Sequence, residues 1–307
     1  MKIEKVAIIG LGLLGGSIGL AVASELPGVA TNGYDSDPQV RVRARELGLA
    51  GTICETASDA VADADLVILC VPVGAMESVA RDIADALKTG CIVSDVGSSK
   101  ESIMRVLTAA LPGREIIPAH PVAGTEHSGP DAGFATMFQQ RWCIITPPAD
   151  AKPECVAALV DFWEALGAMV ETMDAQHHDR VLAVTSHIPH LIAYTIVGTA
   201  SDLEEVTRSE VIKFSAGGFR DFTRIAASDP TMWRDVFLHN KDGVLDMLDR
   251  FLTDLALMRE AIRAGDGETM FDLFARTRSI RRSIVALGQD DDRPDFGRKL
   301  PGDAPAE

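Results

Sequence analysis

Basic residues are scarce in this chain: 29 lysines and arginines stand against 45 aspartates and glutamates in 307 residues, a net charge of −16. That balance argues against nucleic acid or an anionic membrane as a partner, since both attract positive potential. It also means that an anionic substrate must be met by a local basic site. Cysteines are few and scattered. Cys54, Cys70, Cys91, Cys143 and Cys155 are odd in number and include no C-x-x-C pair, so reduced thiols in a cytoplasmic protein are expected, and neither a zinc site nor a redox pair is indicated. An uninterrupted apolar run of membrane length is missing too. The longest apolar region, Val181 to Ala200, contains His187, Pro189 and His190, which suits a buried helix better than a bilayer span. No leader peptide is expected, because Met1-Lys-Ile-Glu-Lys5 runs straight into an apolar segment, and no internal repeat is seen.

What the chain does have begins almost at once. Val6-Ala-Ile-Ile9 reads as a buried parallel strand, and Gly10-Leu-Gly12-Leu13-Leu14-Gly15 follows before a helical stretch from Ile18 to Ser24. Strand, glycine turn and helix start in that order form a dinucleotide-binding βαβ unit. Gly10 permits the turn, Gly12 removes a Cβ that would strike a pyrophosphate, and Gly15 lets helix and strand approach. The helix N-terminus offers N–H groups and the positive end of its dipole to the phosphates. Asp35 ends a second short strand, 20 residues beyond Gly15. A carboxylate there accepts hydrogen bonds from ribose hydroxyls and repels a 2′-phosphate, which favours NAD over NADP. Asp37-Pro38 supplies the helix start nearby, so Asp35 is not needed as a cap.

The length allows two domains, and the periodicity places them. Up to about Asp174 strands and helices alternate. A helix from Pro38 to Leu47, closed by Gly48, precedes a buried strand from Asp65 to Val71, which Pro72 ends. A helix near Met76–Leu87, the strand Cys91–Asp95, strands at Ile116–Ile117 and Cys143–Thr146, a helix near Pro153–Leu166 and a strand from Met169 to Met173 complete the series. This is a doubly wound α/β sheet with extra strands appended, over residues 1–174. Val71 and Pro72, at a strand end beside the glycine loop, join Leu13 and Leu14 as candidate cofactor contacts. From 175 to 288 the patterns are helical only: Ala175–Ala200, Pro230–His239, Asp242–Ala264 and Glu268–Leu287. Their apolar faces are wider than a small bundle can hide, so a homodimer through this domain is expected. Residues 289–307, with three consecutive aspartates, read as a disordered tail.

Three clusters could carry chemistry. Asp95-Val-Gly97-Ser98-Ser99-Lys100 lies at a strand's carboxyl end, where ligands of open sheets bind, and Ser98 can reach a nicotinamide or a substrate hydroxyl; helix capping is the plainer use. His120-Pro-Val-Ala-Gly124-Thr-Glu126-His-Ser-Gly129 follows Ile116–Ala119, and a histidine so placed suits acid–base work beside a hydride acceptor. Gly217-Gly-Phe219-Arg220-Asp221-Phe222-Thr-Arg224 puts two arginines and an aspartate on one helix face, a fork for a substrate carboxylate or a solvated ion-pair surface. The glycines and phenylalanines around it favour burial. His177, His178, His187 and His190 lack metal-ligand spacing, so no metal is expected. His190 is the better candidate among them for substrate contact.

The segments GLGLLGGS near residue 10, DVGSSK at 95–100, HPVAGTEHSG at 120–129, SHIPH at 186–190 and GGFRDFTRIAASDPTMWRD at 217–235 together resemble the prephenate/arogenate dehydrogenase family of tyrosine biosynthesis. The resemblance covers most of residues 5 to 287. It implies a Rossmann-type domain with a helical dimerisation domain, NAD as cofactor and oxidative decarboxylation of prephenate or arogenate. By the same resemblance His120 accepts the hydrogen bond of the ring 4-hydroxyl, Ser98 assists beside the nicotinamide and Arg224 binds the ring carboxylate. His190, Arg220 and Trp233 of the partner subunit surround the side chain, and Glu126 and Asp221 belong to an ionic network that orders Arg224. Arg220 stands where family members vary, so both substrates stay open. A chorismate mutase segment and a regulatory domain are missing, so tyrosine, if it inhibits, would compete in the active site. Two alternatives use the same glycine loop: a β-hydroxyacid dehydrogenase-like reductase, for which Lys213 and Lys241 offer no convincing catalytic motif, and a non-catalytic NAD-sensing protein.

Overall fold

The computed structural model describes residues 1–125, 127–207, 213 and 216–286. Glu126 and the acidic tail lie outside them. The first segment runs β1 (Lys5–Ile9), α1 (Leu13–Glu25), β2 (Ala30–Tyr34), α2 (Pro38–Leu47), β3 (Thr52–Ile53), α3 (Ala57–Val61), β4 (Leu66–Leu69), α4 (Met76–Ile83), β5 (Ile92–Asp95), α5 (Glu101–Ala110) and β6 (Glu115–Ile116). Its strands form one parallel sheet in the order β3-β2-β1-β4-β5-β6. Apolar residues on both faces make this possible. Val6 and Ile8 of β1 join one core while Ala7 and Ile9 join the other, as the two-residue strand repeat requires of a sheet covered on both sides. The strand order reverses between β1 and β4, and that switch point is where such sheets open a ligand crevice.

The extra strands do not extend this sheet. β7 (Ala119–Pro121), β8 (Trp142–Ile145) and β9 (Met169–Thr172) form a separate sheet, with β7 antiparallel to β8 and β8 parallel to β9. α6 (Pro153–Ala165) supplies Leu159, Phe162 and Trp163 to the core that includes Cys143 and Ile145 of β8. The expected strand from Ile116 to Ala119 is therefore two strands, and Pro118 is the reason. Ile117 N–H still bonds Val93 O of the large sheet at 2.9 Å, while Pro118 O accepts from Thr146 N–H of the small sheet at 2.9 Å. Proline has no N–H with which to continue the first ladder, so the chain changes sheets there. His120 consequently sits within β7, opposite Ile144, rather than beyond a strand end.

The helical part comprises α7 (Ala175–Leu182), a π-helical turn (Ala183–His187), α8 (Ile188–Thr207), α9 (Gly217–Thr223), a 3-10 turn (Arg224–Ala227), α10 (Pro230–His239), α11 (Lys241–Ala264) and α12 (Gly267–Ala286). The single helix expected over Ala175–Ala200 is thus interrupted. Pro189 has no N–H for the carbonyl of Thr185, and the wider turn lies directly before it. Nor is this stretch wholly buried: it is long and apolar enough to cross a membrane by length and composition, and Val184, Ile196 and Val197 are exposed. The chain forms two compact units, Met1–Met247 and Leu248 onward. In the second, Gly265 takes the left-handed conformation that closes α11, and Asp266 caps α12 through Thr269 N–H at 3.0 Å.

Candidate active site

The crevice between β1 and β4 is built by glycine. Gly10, at φ +100°, sends its N–H to Tyr34 O at 2.8 Å, and a Cβ there would lie 2.5 Å from Cys70 O. A Cβ on Gly15 would lie 1.8 Å from Gly10 O, so both positions are fixed by the close approach of loop and helix. Gly12 differs. A Cβ on it would meet nothing within 4 Å, so the protein itself does not require glycine there. The open space adjoins the start of α1, whose first turn has no side-chain cap and no acidic residue. It is a cradle that a side chain would fill, and the first N–H groups of a helix need an external acceptor. Leu13 and Leu14 form the half-buried lip, and Val71 with exposed Pro72 stands across the crevice at the end of β4. Asp35 closes β2, its Oδ2 accepting Leu11 N–H at 2.9 Å and its Oδ1 accepting Asp37 N–H at 3.0 Å. Asp37, not Asp35, caps α2. These residues fit a dinucleotide.

His120 is held from behind. Asp95 and Lys100, both fully buried, pair at 2.5 Å. Lys100 Nζ also donates to Ala119 O at 2.7 Å, and Ala119 N–H donates to Asp95 Oδ1 at 3.3 Å. The residue before His120 is thereby clamped at both its backbone groups. Burial moves both charges toward neutrality, Asp95 upward and Lys100 downward, against their mutual attraction. The hydrogen bonds matter for that reason, since a buried ion pair is costly without them. His120 Nδ1 lies 2.8 Å from His178 Nε2, and His178 Nδ1 lies 2.8 Å from Asp179 Oδ1. Burial, reinforced by the charges of His178, Lys100 and His187, holds His120 well below the usual histidine range. Asp179 also accepts the N–H groups of Lys100 at 2.7 Å and Glu101 at 3.0 Å, so it caps α5 from another part of the chain.

From here the network runs outward. Asn240 Nδ2 donates to Asp179 O at 2.7 Å and lies 3.1 Å from His187 Nδ1. His187 is pushed down to about 4 by burial. His187 meets the Trp233 ring edge-on, with centroids 6.1 Å apart, and His190 stacks on the same indole at 3.6 Å. His190 Nδ1 donates to Ser186 O at 2.8 Å, leaving Nε2 as its acceptor. Burial and the charge of Arg224 both lower its proton affinity. Trp233 is thus buried against a histidine of its own chain, whereas the family resemblance assigns it to the partner's site. His187 Nε2 and Trp233 Nε1 are buried with no hydrogen-bond partner among the described residues.

Of the remaining predicted residues, Glu126 lies outside the described ones and the others fall on a loop, a helix and a turn. Ser98 is half-buried in the loop between β5 and α5. Arg220 and Asp221 lie on α9, and Arg224 opens the 3-10 turn that Tyr194 OH pins through Ser228 O at 2.6 Å. The burial expected of this segment is not found: Arg220, Phe222 and Arg224 are exposed. Sequence reasoning missed the roles of His178, Asp179, Lys100 and Asn240. Only the adjacency of a histidine and an aspartate at 178–179 hints at two of them.

Comparison with known proteins identifies the family. Residues 18–172 match the model for the prephenate dehydrogenase nucleotide-binding domain, and residues 174–276 match that for the prephenate dehydrogenase dimerization domain. The chain is 45% identical to a cyclohexadienyl dehydrogenase of Zymomonas mobilis over 289 residues, 94% of this chain and 98% of that one. It is 32% identical to a prephenate dehydrogenase of Bacillus subtilis over 283 residues, 92% of this chain and 76% of the relative. Among solved structures, the prephenate dehydrogenase of Aquifex aeolicus in complex with hydroxyphenyl propionate and NAD+ superposes with a TM-score of 0.86 at 30% identity, covering 92% of this chain and 99% of that one. With both domains matched in order and such identity over nearly the full length, the chain belongs to the prephenate dehydrogenase family.

Proposed function

We propose that the chain catalyses NAD-dependent oxidative decarboxylation of prephenate to 4-hydroxyphenylpyruvate, of arogenate to tyrosine, or of both, as a step of tyrosine biosynthesis. His120 carries this reading: a buried imidazole kept neutral, clamped through Ala119 and backed by a second histidine. The names of the cyclohexadienyl and prephenate dehydrogenase relatives, and the ligands held by the Aquifex aeolicus enzyme, support the substrate class and the cofactor. Bound NAD supplies the acceptor for the hydride that leaves the hydroxyl-bearing ring carbon. Gly10, Gly12, Leu13, Leu14, Gly15, Asp35, Val71 and Pro72 would hold it, and Ser98 would serve its nicotinamide end.

His120 accepts the hydrogen bond of the ring 4-hydroxyl and draws its proton as the carbon is oxidised. It returns that proton to the phenolic oxygen when the ring carboxylate leaves as carbon dioxide and its bonding pair completes the aromatic ring. A neutral imidazole is needed for the first half of this exchange, which is why its lowered proton affinity matters. Arg224 binds the ring carboxylate, Asp221 and Glu126 order it, and Arg220, His190 and Trp233 receive the side chain. Tyrosine, which resembles the product, would compete for the same groups.

The functional division lies at about residue 174, with a nucleotide-binding part before it and a substrate and dimerisation part after it. The chain works as a cytoplasmic homodimer in this reading. Phe271 and Phe274 on α12 are 70% and 60% exposed, and faces of that kind are covered in stable proteins. Replacing both by glutamate (F271E with F274E) should convert the dimer to monomer in sedimentation; an unchanged dimer would place the interface elsewhere.

The decisive experiment is steady-state kinetics with prephenate and arogenate, each against NAD and NADP, on the wild type and His120→Asn. The variant should bind NAD normally and lose at least about a hundredfold in kcat, the scale of general acid–base catalysis. Near-normal turnover would remove His120 from the reaction.

A further inference from the structure

His178 and Asp179 are buried in the middle of α7; His178 touches His120 from 58 residues away, and Asp179 backs His178. We propose that they are positioning residues that fix the ring tautomer of His120 and so keep its lone pair on Nε2, the atom left to meet the substrate hydroxyl; the inference rests on His120 being the proton acceptor.

The assignment follows link by link. Asp179 Oδ1 accepts Lys100 N–H and Oδ2 accepts Glu101 N–H, at 2.7 and 3.0 Å. A carboxylate held by backbone donors can only accept, so the 2.8 Å contact to His178 requires the proton on His178 Nδ1. A neutral imidazole carries one N–H. His178 Nε2 is therefore a lone pair, and its partner at 2.8 Å, His120 Nδ1, must donate to it. Neutral His120 has then spent its single N–H, and Nε2 is its acceptor. Had the order been reversed, Nε2 would carry hydrogen and could not accept from a hydroxyl.

Both rings are held neutral by burial. His178, Lys100 and His187 push His120 further down, while Asp179 and Asp95 partly restore His178. When His120 takes a proton at Nε2, its Nδ1–H still donates to His178, and the Asp179 charge lies one ring beyond. Such outer partners of a functional histidine set its tautomer and basicity.

Asp179 also caps α5, so the test falls on His178. His178→Leu cannot accept from His120, whereas His178→Gln can do so through Oε1. His178→Leu should lower kcat about 10–100-fold with KM and the NAD dissociation constant little changed, and His178→Gln should recover most of the loss. In ¹⁵N spectra of histidine-labelled protein, His120 should be protonated at Nδ1 in the wild type and in His178→Gln, and at Nε2 in His178→Leu. Unchanged kcat in His178→Leu, or a wild-type His120 protonated at Nε2, would overturn the proposal. If His178→Leu does not fold, the wild-type spectrum decides alone. His120→Asn is run beside these: an inactive His120→Asn with an active His178→Leu sinks only the relay, and an active His120→Asn sinks the reading on which it rests.

Discussion

The acid–base state of His120 is set before any ligand arrives, by burial and by neighbours from two separate stretches of chain, Lys100 in one and His178 with His187 in the other. Arg224 is the opposite case, an exposed guanidinium whose charge nevertheless reaches His190. If it holds the ring carboxylate, Arg224→Ala should raise KM for prephenate about 10–100-fold with a smaller change in kcat, matching about 1.5–3 kcal/mol for a hydrogen bond to a charged group. An unchanged KM would move carboxylate recognition to another residue. At this scale the sequence was legible where chemistry is local. His120 stands out because a proline and a glycine-rich loop follow it, and Asp35 because its distance from the glycine loop is characteristic. His178 and Lys100 were opaque: each acquires its role from a partner in another part of the fold, and nothing in their immediate neighbours announces that partner.

Among the elements, the glycine loop separates two uses of one residue type. Gly15 is required by the fold, since a Cβ there would lie 1.8 Å from Gly10 O, whereas a Cβ on Gly12 would meet no protein atom within 4 Å. Gly12→Ala should therefore leave the thermal midpoint near that of the wild type while weakening NAD binding, and Gly15→Ala should lower both. Calorimetry of each variant with and without NAD checks this; a Gly12→Ala protein that bound NAD normally would place the pyrophosphate elsewhere. The first strand, turn and helix were readable because a buried parallel strand and a glycine turn leave a continuous local pattern. The small sheet was not. Ile116, Ile117 and Ala119 look like one apolar run until the hydrogen bonds on either side of Pro118 divide it between two sheets. The π turn before Pro189 was hidden for a similar reason, because a helical pattern that gains a residue still looks helical.

For the molecule as a whole, the concentration of buried and half-buried histidines sets the response to acid. His120, His178, His187 and His190 all have folded-state proton affinities below the ordinary value of 6.5. The unfolded chain therefore binds protons that the folded chain does not, and stability rises with pH across that window. Their contribution is present in full above 6.5 and is lost as pH falls, reaching for His187 down to about 4. Thermal melts should show the midpoint dropping as pH is lowered from above 6.5 toward about 5; a flat midpoint would mean that these rings are not buried in neutral form. Asp179 gives this ledger of protons a mechanical side. Its carboxylate starts α5, orients His178 and, through its carbonyl, holds Asn240. Those contacts join the stretches around residues 100, 179 and 240, the kind of shared hydrogen bonding that couples local opening. If His120 is the proton acceptor, it cannot be disarmed on its own: an event that releases Asp179 also uncaps the first turn of α5, so the histidine site and a piece of the fold change in the same step.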